Sequence, residues 1–485
     1  MLLSIIFLVL LLSILLICFI PKSNKLFLKQ FSLSVSGLIL FLSSILLVNF
    51  NTNNYYFQNI VYYNIGSNYL NLSYSFGVDG ISIFFFFLSS FLIFLCVLFV
   101  WEEKLLKEYL LILLVLNLLL LLVFSVLDLF LFYIFFEAIL IPMYLMIGTL
   151  GSRERKIRAA YLFFFYTLFG SLLMLIAIIY IYNIVGTLNL EYLFNWSFTF
   201  NEQYWLWIAF FLSFASKIPM FPFHIWLPEA HVEAPTVGSV LLAGILLKLG
   251  VYGFLRFSIT LFPLASLYFS PLVYFFSIVG VIYASLTAIR QTDFKRVIAY
   301  SSVAHMNLIT LGIFSFNNIS IEGSLLQSIS HGFVSGALFL LIGVLYDRYH
   351  SRLLYYYGGL VHTMPMYSIF FLFFTLSNIA LPGTSSFVGE FLILAGVYKT
   401  SILTSILGAL GVILSGAYSL WLYNRLIFGN LKFSYTLEFK DITLKEFLVL
   451  IPLAFFVLFM GLYPSFFSNY FHLTVYNISL ITAFN

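Results

Sequence analysis

The chain has 485 residues, of which 63% are hydrophobic and only 8% are charged. A water-soluble protein needs far more charge to cover its surface, and apolar runs of 18 or more residues recur from end to end, so lipid is the expected solvent. A net charge of +4 without a basic cluster argues against nucleic acid as a partner. The two cysteines, Cys18 and Cys96, cannot supply a four-thiolate cluster, and no Gly-x-Gly-x-x-Gly run opens a nucleotide domain.

In chain order, the pattern predicts an all-α polytopic membrane protein of about fourteen transmembrane helices. They lie near 1–20, 31–48, 79–100, 109–127, 129–150, 159–186, 204–227, 235–257, 271–289, 296–315, 320–346, 366–398, 402–428 and 446–468. The first run lacks the leading positive charge and the cleavage site of a signal peptide, so it reads as a retained helix. The fourth and fifth spans share one long apolar stretch in which only Ser125 and Asp128 mark a turn. One bilayer crossing takes about 20 residues, so two helices fit better than one.

Basic residues support the count. Lys22, Lys25 and Lys29; Lys104 and Lys107; Arg153, Arg155, Lys156 and Arg158; Arg290, Lys295 and Arg296; Arg348 and Arg352; and Arg425, Lys432, Lys440 and Lys445 all follow odd-numbered spans. Even-numbered connections hold Arg256 and Lys399 at their edges, and the stretch 49–78 has no charge. By the positive-inside rule the odd connections face the cytoplasm or the mitochondrial matrix, and both termini face the other side.

Six ionisable residues fall inside spans: Glu137, Lys217, Lys248, His305, His331 and Glu390. A central lysine costs about 2.5–3.5 kcal/mol even on the lenient insertion scale, so such a set needs partners, water, or a function. A static ion pair or a hydrogen-bonded packing histidine is the plain reading of any one of them. For the whole set it is weak, because cheaper Ser and Thr contacts would lock helices equally well.

Two of these spans are predicted to be broken. Residues 216–235 read SKIPMFPFHIWLPEAHVEAP, and Pro219 and Pro222 free the carbonyls of Ala215 and Ile218 beside Lys217. Residues 376–396 read LSNIALPGTSSFVGEFLILAG, with Pro382 and Gly383 followed two turns on by Glu390. Non-helical backbone at membrane depth is tolerated only within protein or beside water, and paired breaks mark transporters. The breaks lie in spans seven and twelve, which suggests a five-helix unit repeated once with inverted orientation. The expected organisation is therefore three helices in 1–108, a first repeat in 109–257, a second in 271–428, and a terminal helix and tail in 429–485. Lys248 is placed to bridge the two repeats.

The run 216–235, LLAGILLKLGVYGFLR at 241–256, QTDFKRVIAYSSVAHMN at 291–307, SISHGFVSGALFL at 328–340 and LPGTSSFVGEFLIL at 381–394 closely resemble the chain 4 family of respiratory NADH:quinone oxidoreductase, complex I. The likeness is weakest in 1–75 and after 430. It implies fourteen helices, two inverted repeats and two proton half-channels. It implies that Glu137 is the switch carboxylate, Lys217 the broken-helix lysine, Lys248 the connecting lysine, His305 and His331 the central histidines, and Glu390 the exit-side acid. An acid at 390 favours chain 4 over the related chains 2 and 5, which typically carry lysine there. The resemblance further implies a subunit without its own redox centre. NADH, FMN, iron–sulfur clusters and quinone are then expected in other subunits, with the antiporter-like chains 2 and 5 and lipid as neighbours.

The abundance of Phe (60) and Tyr (33) suits an AT-rich organelle genome. It inclines the placement to the mitochondrial inner membrane, with both termini toward the intermembrane space. Two rivals stand beside this reading. A subunit of a multi-subunit cation/proton antiporter is separated by whether an NADH-oxidising arm co-purifies. A haem held by His305 and His331 is separated by an absorption spectrum.

Overall fold

The computed structural model describes residues 2–67, 70–100, 105–151, 153–432 and 440–484. Met1, Lys104 and Asn485, which entered the charge and terminus argument, lie outside the described residues. Helices dominate: α1 Leu2–Phe19, α2 Lys25–Val48, α3 Ser82–Phe99, α4 Leu106–Ser125, α5 Leu129–Leu150, α6 Lys156–Val185, α7 Phe200–Lys217, α8 Trp226–Glu233, α9 Thr236–Leu261, α10 Pro263–Ile289, α11 Phe294–Ile313, α12 Asn318–Tyr349, α13 Pro365–Asn378, α14 Ser385–Thr400, α15 Ile402–Ile427, α16 Leu444–Leu462 and α17 Pro464–Phe484. Among the described residues, 11 helices are long and apolar enough to cross a membrane. α7, α11, α13, α14 and α17 are not among those 11. Their sequences show why: α13 and α14 are short pieces either side of an interruption, and α11 carries Lys295, Arg296, His305 and Asn307.

The all-α expectation needs one correction. The uncharged stretch after α2 contains an antiparallel hairpin, β1 Gln58–Ser67 and β2 Leu70–Val78. Its Ile, Val and Tyr residues favour extended chain, and in β2 Tyr74, Phe76 and Val78 recur at the period of a strand rather than of a helix. The doubtful turn between the fourth and fifth spans is well made. α4 ends at Ser125, and the Asp128 carboxylate caps α5 by accepting from the amides of Phe130 and Leu131, both at 2.9 Å. The final helix α17 runs well past the expected end at 468. Pro464 suits its first turn, where an amide proton has no partner to lose.

The chain forms two compact units, and α9 divides between them at Lys248. The first holds residues 1–217, 248–268 and 469–485. In it α2 packs on α3, α3 on α4, and α6 on α7. The second holds residues 218–247 and 269–468. Its centre is the close pairing of α12 and α14. Two glycines permit that approach. A β-carbon on Gly323 would stand 2.8 Å from the Ile393 nitrogen, and one on Gly389 would stand 2.8 Å from the Gln327 α-carbon. Both gaps are too short for any side chain.

α9 contains two π-helical turns, Leu242–Leu246 and Phe254–Ser258, with the α-helical stretch Leu247–Gly253 between them. Such turns widen a helix locally and collect at functional positions. Arg256 belongs to the second turn. It was expected at the edge of a connection, but it is buried in the first unit and pairs with Asp79 at 2.5 Å. The guanidinium also lies over the Phe57 ring, 4.8 Å from its centroid. Asp79 accepts from the Ser82 amide at 3.0 Å and so orders the start of α3. Removing one partner strands a buried charge, which typically costs about 3–5 kcal/mol. Asp79→Ala is therefore expected to lower the amount of assembled protein sharply on native gels, and Asp79→Leu with Arg256→Met to restore much of it. Normal assembly in the single variant would show that this pair does not hold the unit together.

Candidate functional site

In the first unit, α7 stops at Lys217 and regular helix does not resume until α8. Lys217 is thus in the last turn of α7, and a cation is favoured at a helix C-terminus. Lys217 is 3% exposed, and its ammonium sits 4.5 Å from the centroid of the Phe136 ring on α5. Glu137 follows Phe136 on the same helix. It is half-buried, feels the Lys217 charge and faces Ser171 on α6, but neither of its oxygens makes a direct hydrogen bond. No ion pair within 4.0 Å joins Glu137 to Lys217 among the described residues. The two charges are therefore near enough to influence each other and not locked together. Lys248 is fully buried, in the α-helical stretch between the two π turns of α9.

In the second unit, three helices bring the remaining predicted residues together. His305 on α11 places Nδ1 3.0 Å from Glu390 Oε1 on α14. The ring of His331 on α12 lies 5.9 Å from that of His305, centroid to centroid. Gln327 on α12, one turn before His331, donates from Nε2 to the same Glu390 oxygen at 3.0 Å. Glu390 Oε2 and His305 Nε2 are buried without a direct partner. An acid, an imidazole and an amide thus share one buried patch, with proton-accepting and proton-donating atoms still open. No basic residue lies within four positions of Glu390 on its own helix, so a partner comes from another helix or from water, or is absent. It comes from two helices. Gln327 was missed, although its spacing of four residues from His331 on a helix face was a usable signal.

The two interruptions are satisfied locally, which explains their polar composition. After α7, the Pro219 carbonyl accepts from Asn307 Nδ2 of α11 at 3.4 Å. Between α13 and α14, Ala380 (φ 67°) and Gly383 (φ 94°) adopt left-handed backbone. Glycine takes that conformation freely, while alanine is strained in it. The Thr384 hydroxyl donates to the Leu381 carbonyl at 2.7 Å, Ser386 donates to the Ser377 carbonyl, and Ser385 bonds Ser330 of α12 at 2.7 Å. The Ser377 and Leu381 carbonyls also accept the amides of Ala380 at 3.1 Å and Thr384 at 3.0 Å, so the hydroxyls supply second bonds where the helix ladder is interrupted.

At the end of the second unit that carries the basic connections, charges expected in loops are in part buried. Arg352 bonds Glu233 of α8 at 2.9 Å and the Val232 carbonyl at 2.7 Å. Lys295 donates to the Ala234 carbonyl at 3.0 Å, and Arg296 pairs with Glu229 at 2.9 Å. These contacts hold α8, which directly follows the interruption after Lys217, by its C-terminal carbonyls.

The chain has relatives among known proteins. The family profile described as NADH:quinone oxidoreductase/Mrp antiporter, TM, matches residues 126–415. The chain is 52% identical over 470 residues to NADH-ubiquinone oxidoreductase chain 4 of Chondrus crispus, covering 96% of this chain and 95% of that one. It is 52% identical over 462 residues to the protein of the same name in Arabidopsis thaliana, covering 95% and 93%. Among solved structures, a chain of respiratory complex I from Thermus thermophilus with bound NADH superposes with a TM-score of 0.88 at 31% identity, covering 99% of this chain and all (100%) of that one.

Proposed function

The chain belongs to the NADH-ubiquinone oxidoreductase chain 4 family, and from that premise we propose that its buried ionisable residues form the proton path of a membrane-arm subunit. It is part of the proton-translocating NADH:ubiquinone oxidoreductase and works inside a multi-pass membrane scaffold with other complex I subunits. The proposal assigns the path to Glu137, Lys217, Lys248, His305, His331 and Glu390. It places the fourteen spans in two inverted five-helix repeats, 109–257 and 271–428, after three helices in 1–108 and before a helix and tail in 429–485, with the seventh and twelfth spans interrupted. The neighbours are the antiporter-like chains 2 and 5 and lipid. The redox groups belong to other subunits, and the membrane is the mitochondrial inner one.

The observation that carries the proposal is the Glu390–His305 contact at 3.0 Å beside an interrupted helix, with a buried carboxylate oxygen left over. Such a site can take up a proton and give it away, which a closed ion pair cannot. At the other cluster, Lys217 and Glu137 supply the switch. Burial weakens a lysine's hold on its proton, and a nearby carboxylate strengthens it. When Glu137 approaches, Lys217 loads. When Glu137 is drawn away, Lys217 passes the proton toward Lys248, the histidines carry it on, and Glu390 receives it. A thousandfold change in proton affinity corresponds to about 4 kcal/mol. Moving one charge against about 100 mV costs about 2.3 kcal/mol, so the switch has the required size.

Two experiments test this reading. The antiporter alternative requires function without NADH, so affinity purification through this chain is expected to bring down an NADH-oxidising arm; its reproducible absence would favour the antiporter. For topology, labels at Arg153 and at Asn485 are expected to react from opposite faces of sealed membranes, with Arg153 and Arg290 toward the matrix. Labelling of Arg153 and Asn485 from one face would contradict the fourteen-span arrangement.

A further inference from the structure

Tyr418 on α15 is a large, fully buried side chain in the second unit that the path above does not use. Two small cavities touch it. The first is lined by His305, Glu390, Ser415 and Tyr418, together with apolar side chains. The second is lined by Ser301, Thr375, Asn378, Ser419 and the same Tyr418. Each offers about 10 Å³ to the centre of a water molecule, which is room for about one water. Each also has the two or more polar neighbours that a buried water requires. The Tyr418 hydroxyl is directed toward Ser301, Asn378 and the Glu390 carboxylate but makes no direct hydrogen bond. Tyr418 lines both cavities, and Glu390, whose Oε2 is also without a direct partner, lines the first.

The cavities are ordered along the membrane normal. α11 begins just after Arg290, with Lys295 in its first turn, and Ser301 lies one turn nearer that end than His305. α13 begins after Arg348 and Arg352, and Thr375 lies nearer its start than Asn378. α15 ends beside Arg425, and Ser419 lies one turn nearer that end than Ser415. α11 and α15, which line both cavities, therefore place the second cavity about one turn, roughly 5 Å, closer to the end that carries the basic connections.

We propose that Tyr418 is a proton-passing residue that gives Glu390 a second access, from the basic-loop face, through Asn378, Ser301 and one water on either side of the phenol. The inference rests on the reading of Glu390 as a titrating group and adds a direction to it, because a purely exit-side acid needs no polar route toward the basic face. The step is neutral at Tyr418. The water in the second cavity takes up a proton from the basic-loop face and gives one of its own to the phenol oxygen as the phenol's proton leaves to the water in the first cavity. That water in turn passes a proton to the Glu390 carboxylate at Oε2. One O–H bond forms and one breaks at each water and at the phenol, one O–H bond forms at Glu390, and no charge remains on the ring.

The test uses the assembled complex in sealed vesicles and reads NADH-driven proton flux normalised to assembled complex. Tyr418→Phe keeps the ring and removes only the hydroxyl. It is expected to assemble normally and to lose roughly tenfold in flux, less than the roughly hundredfold or more for removing a positioned general acid or base, because the step at Tyr418 leaves Glu390 in place. Asn378→Ala, which leaves Tyr418 in place, is expected to show a smaller fall in the same direction and a larger slowing in heavy water than the unaltered protein. Glu390→Gln combined with Tyr418→Phe is expected to be no worse than Glu390→Gln alone. Unaltered flux in Tyr418→Phe, with Glu390→Gln still impaired, overturns this inference and leaves the proposed function standing. Unaltered flux in Glu390→Gln overturns both. Failure of Tyr418→Phe to assemble transfers the decision to Asn378→Ala, where unaltered flux and an unaltered heavy-water effect likewise overturn the route.

Discussion

Glu390→Gln is expected to assemble normally and to lose about tenfold or more of its proton flux. Glutamine has the same shape and keeps an oxygen where Glu390 Oε1 now meets His305 Nδ1 and Gln327 Nε2, each at 3.0 Å. Packing between α12 and α14 is therefore preserved. What disappears is the ability to bind and release a proton at the second oxygen, which is buried and has no direct partner. Glu390→Asp keeps the acid but shortens its reach by one methylene, so part of the flux is expected to survive through an intervening water. Glu390→Lys should also retain a fraction, since the buried Gln327 Oε1 is free to accept from an ammonium. A carboxylate kept only for structure would behave in the opposite way. Gln would then reduce assembly, and the complex that survived would pump normally per turnover.

Lys217→Ala is expected to have an effect at least as large. Alanine is well tolerated at a helix end, and the truncated side chain leaves only its contact with the Phe136 ring behind. Assembly should persist. Proton flux should fall by about tenfold or more, with a linked loss of quinone reduction, because a coupled machine cannot turn over while one of its proton steps is blocked. The separation of Glu137 from Lys217 bears on this. A locked ion pair would leave Glu137 as an unpaired buried charge in the Ala variant and would destabilise the protein by several kcal/mol. Glu137 is half-buried and not hydrogen-bonded to the lysine. A functional loss with little loss of stability is the expected pattern.

The parts of this structure that were legible in the sequence are those that physics states locally. Apolar length marks the spans, Ser125 and Asp128 mark the turn between two of them, and regular helix is absent at Pro219, Pro222, Pro382 and Gly383. Charges at membrane depth are so costly that Lys217, Lys248 and Glu390 stood out without any structure. The hidden parts depend on distant pairings or leave little local trace. Arg256 looked like the edge of a loop because nothing nearby showed that Asp79 would meet it inside the protein. Lys295 and Arg352 looked like loop charges because their partners are carbonyls of α8. The π turns around Lys248 have no local sequence signal. The hairpin at 58–78 carries no charge to mark it, and its extended character shows only in the alternation of Tyr74, Phe76 and Val78. Gln327 and Tyr418 are ordinary helix residues until α12, α14 and α15 come together.

The most direct test of the central claim, that buried side chains here bind and release protons, is proton flux per NADH oxidised in vesicles carrying Lys217→Arg. Arginine keeps the positive charge and a side chain of similar length, but it does not deprotonate in a protein. A static role for Lys217 would survive this change largely intact. A carrier role would not. The expected result is an assembled complex whose flux falls nearly as far as in Lys217→Ala. Full coupled flux in the arginine variant would contradict the account and make Lys217 a fixed charge.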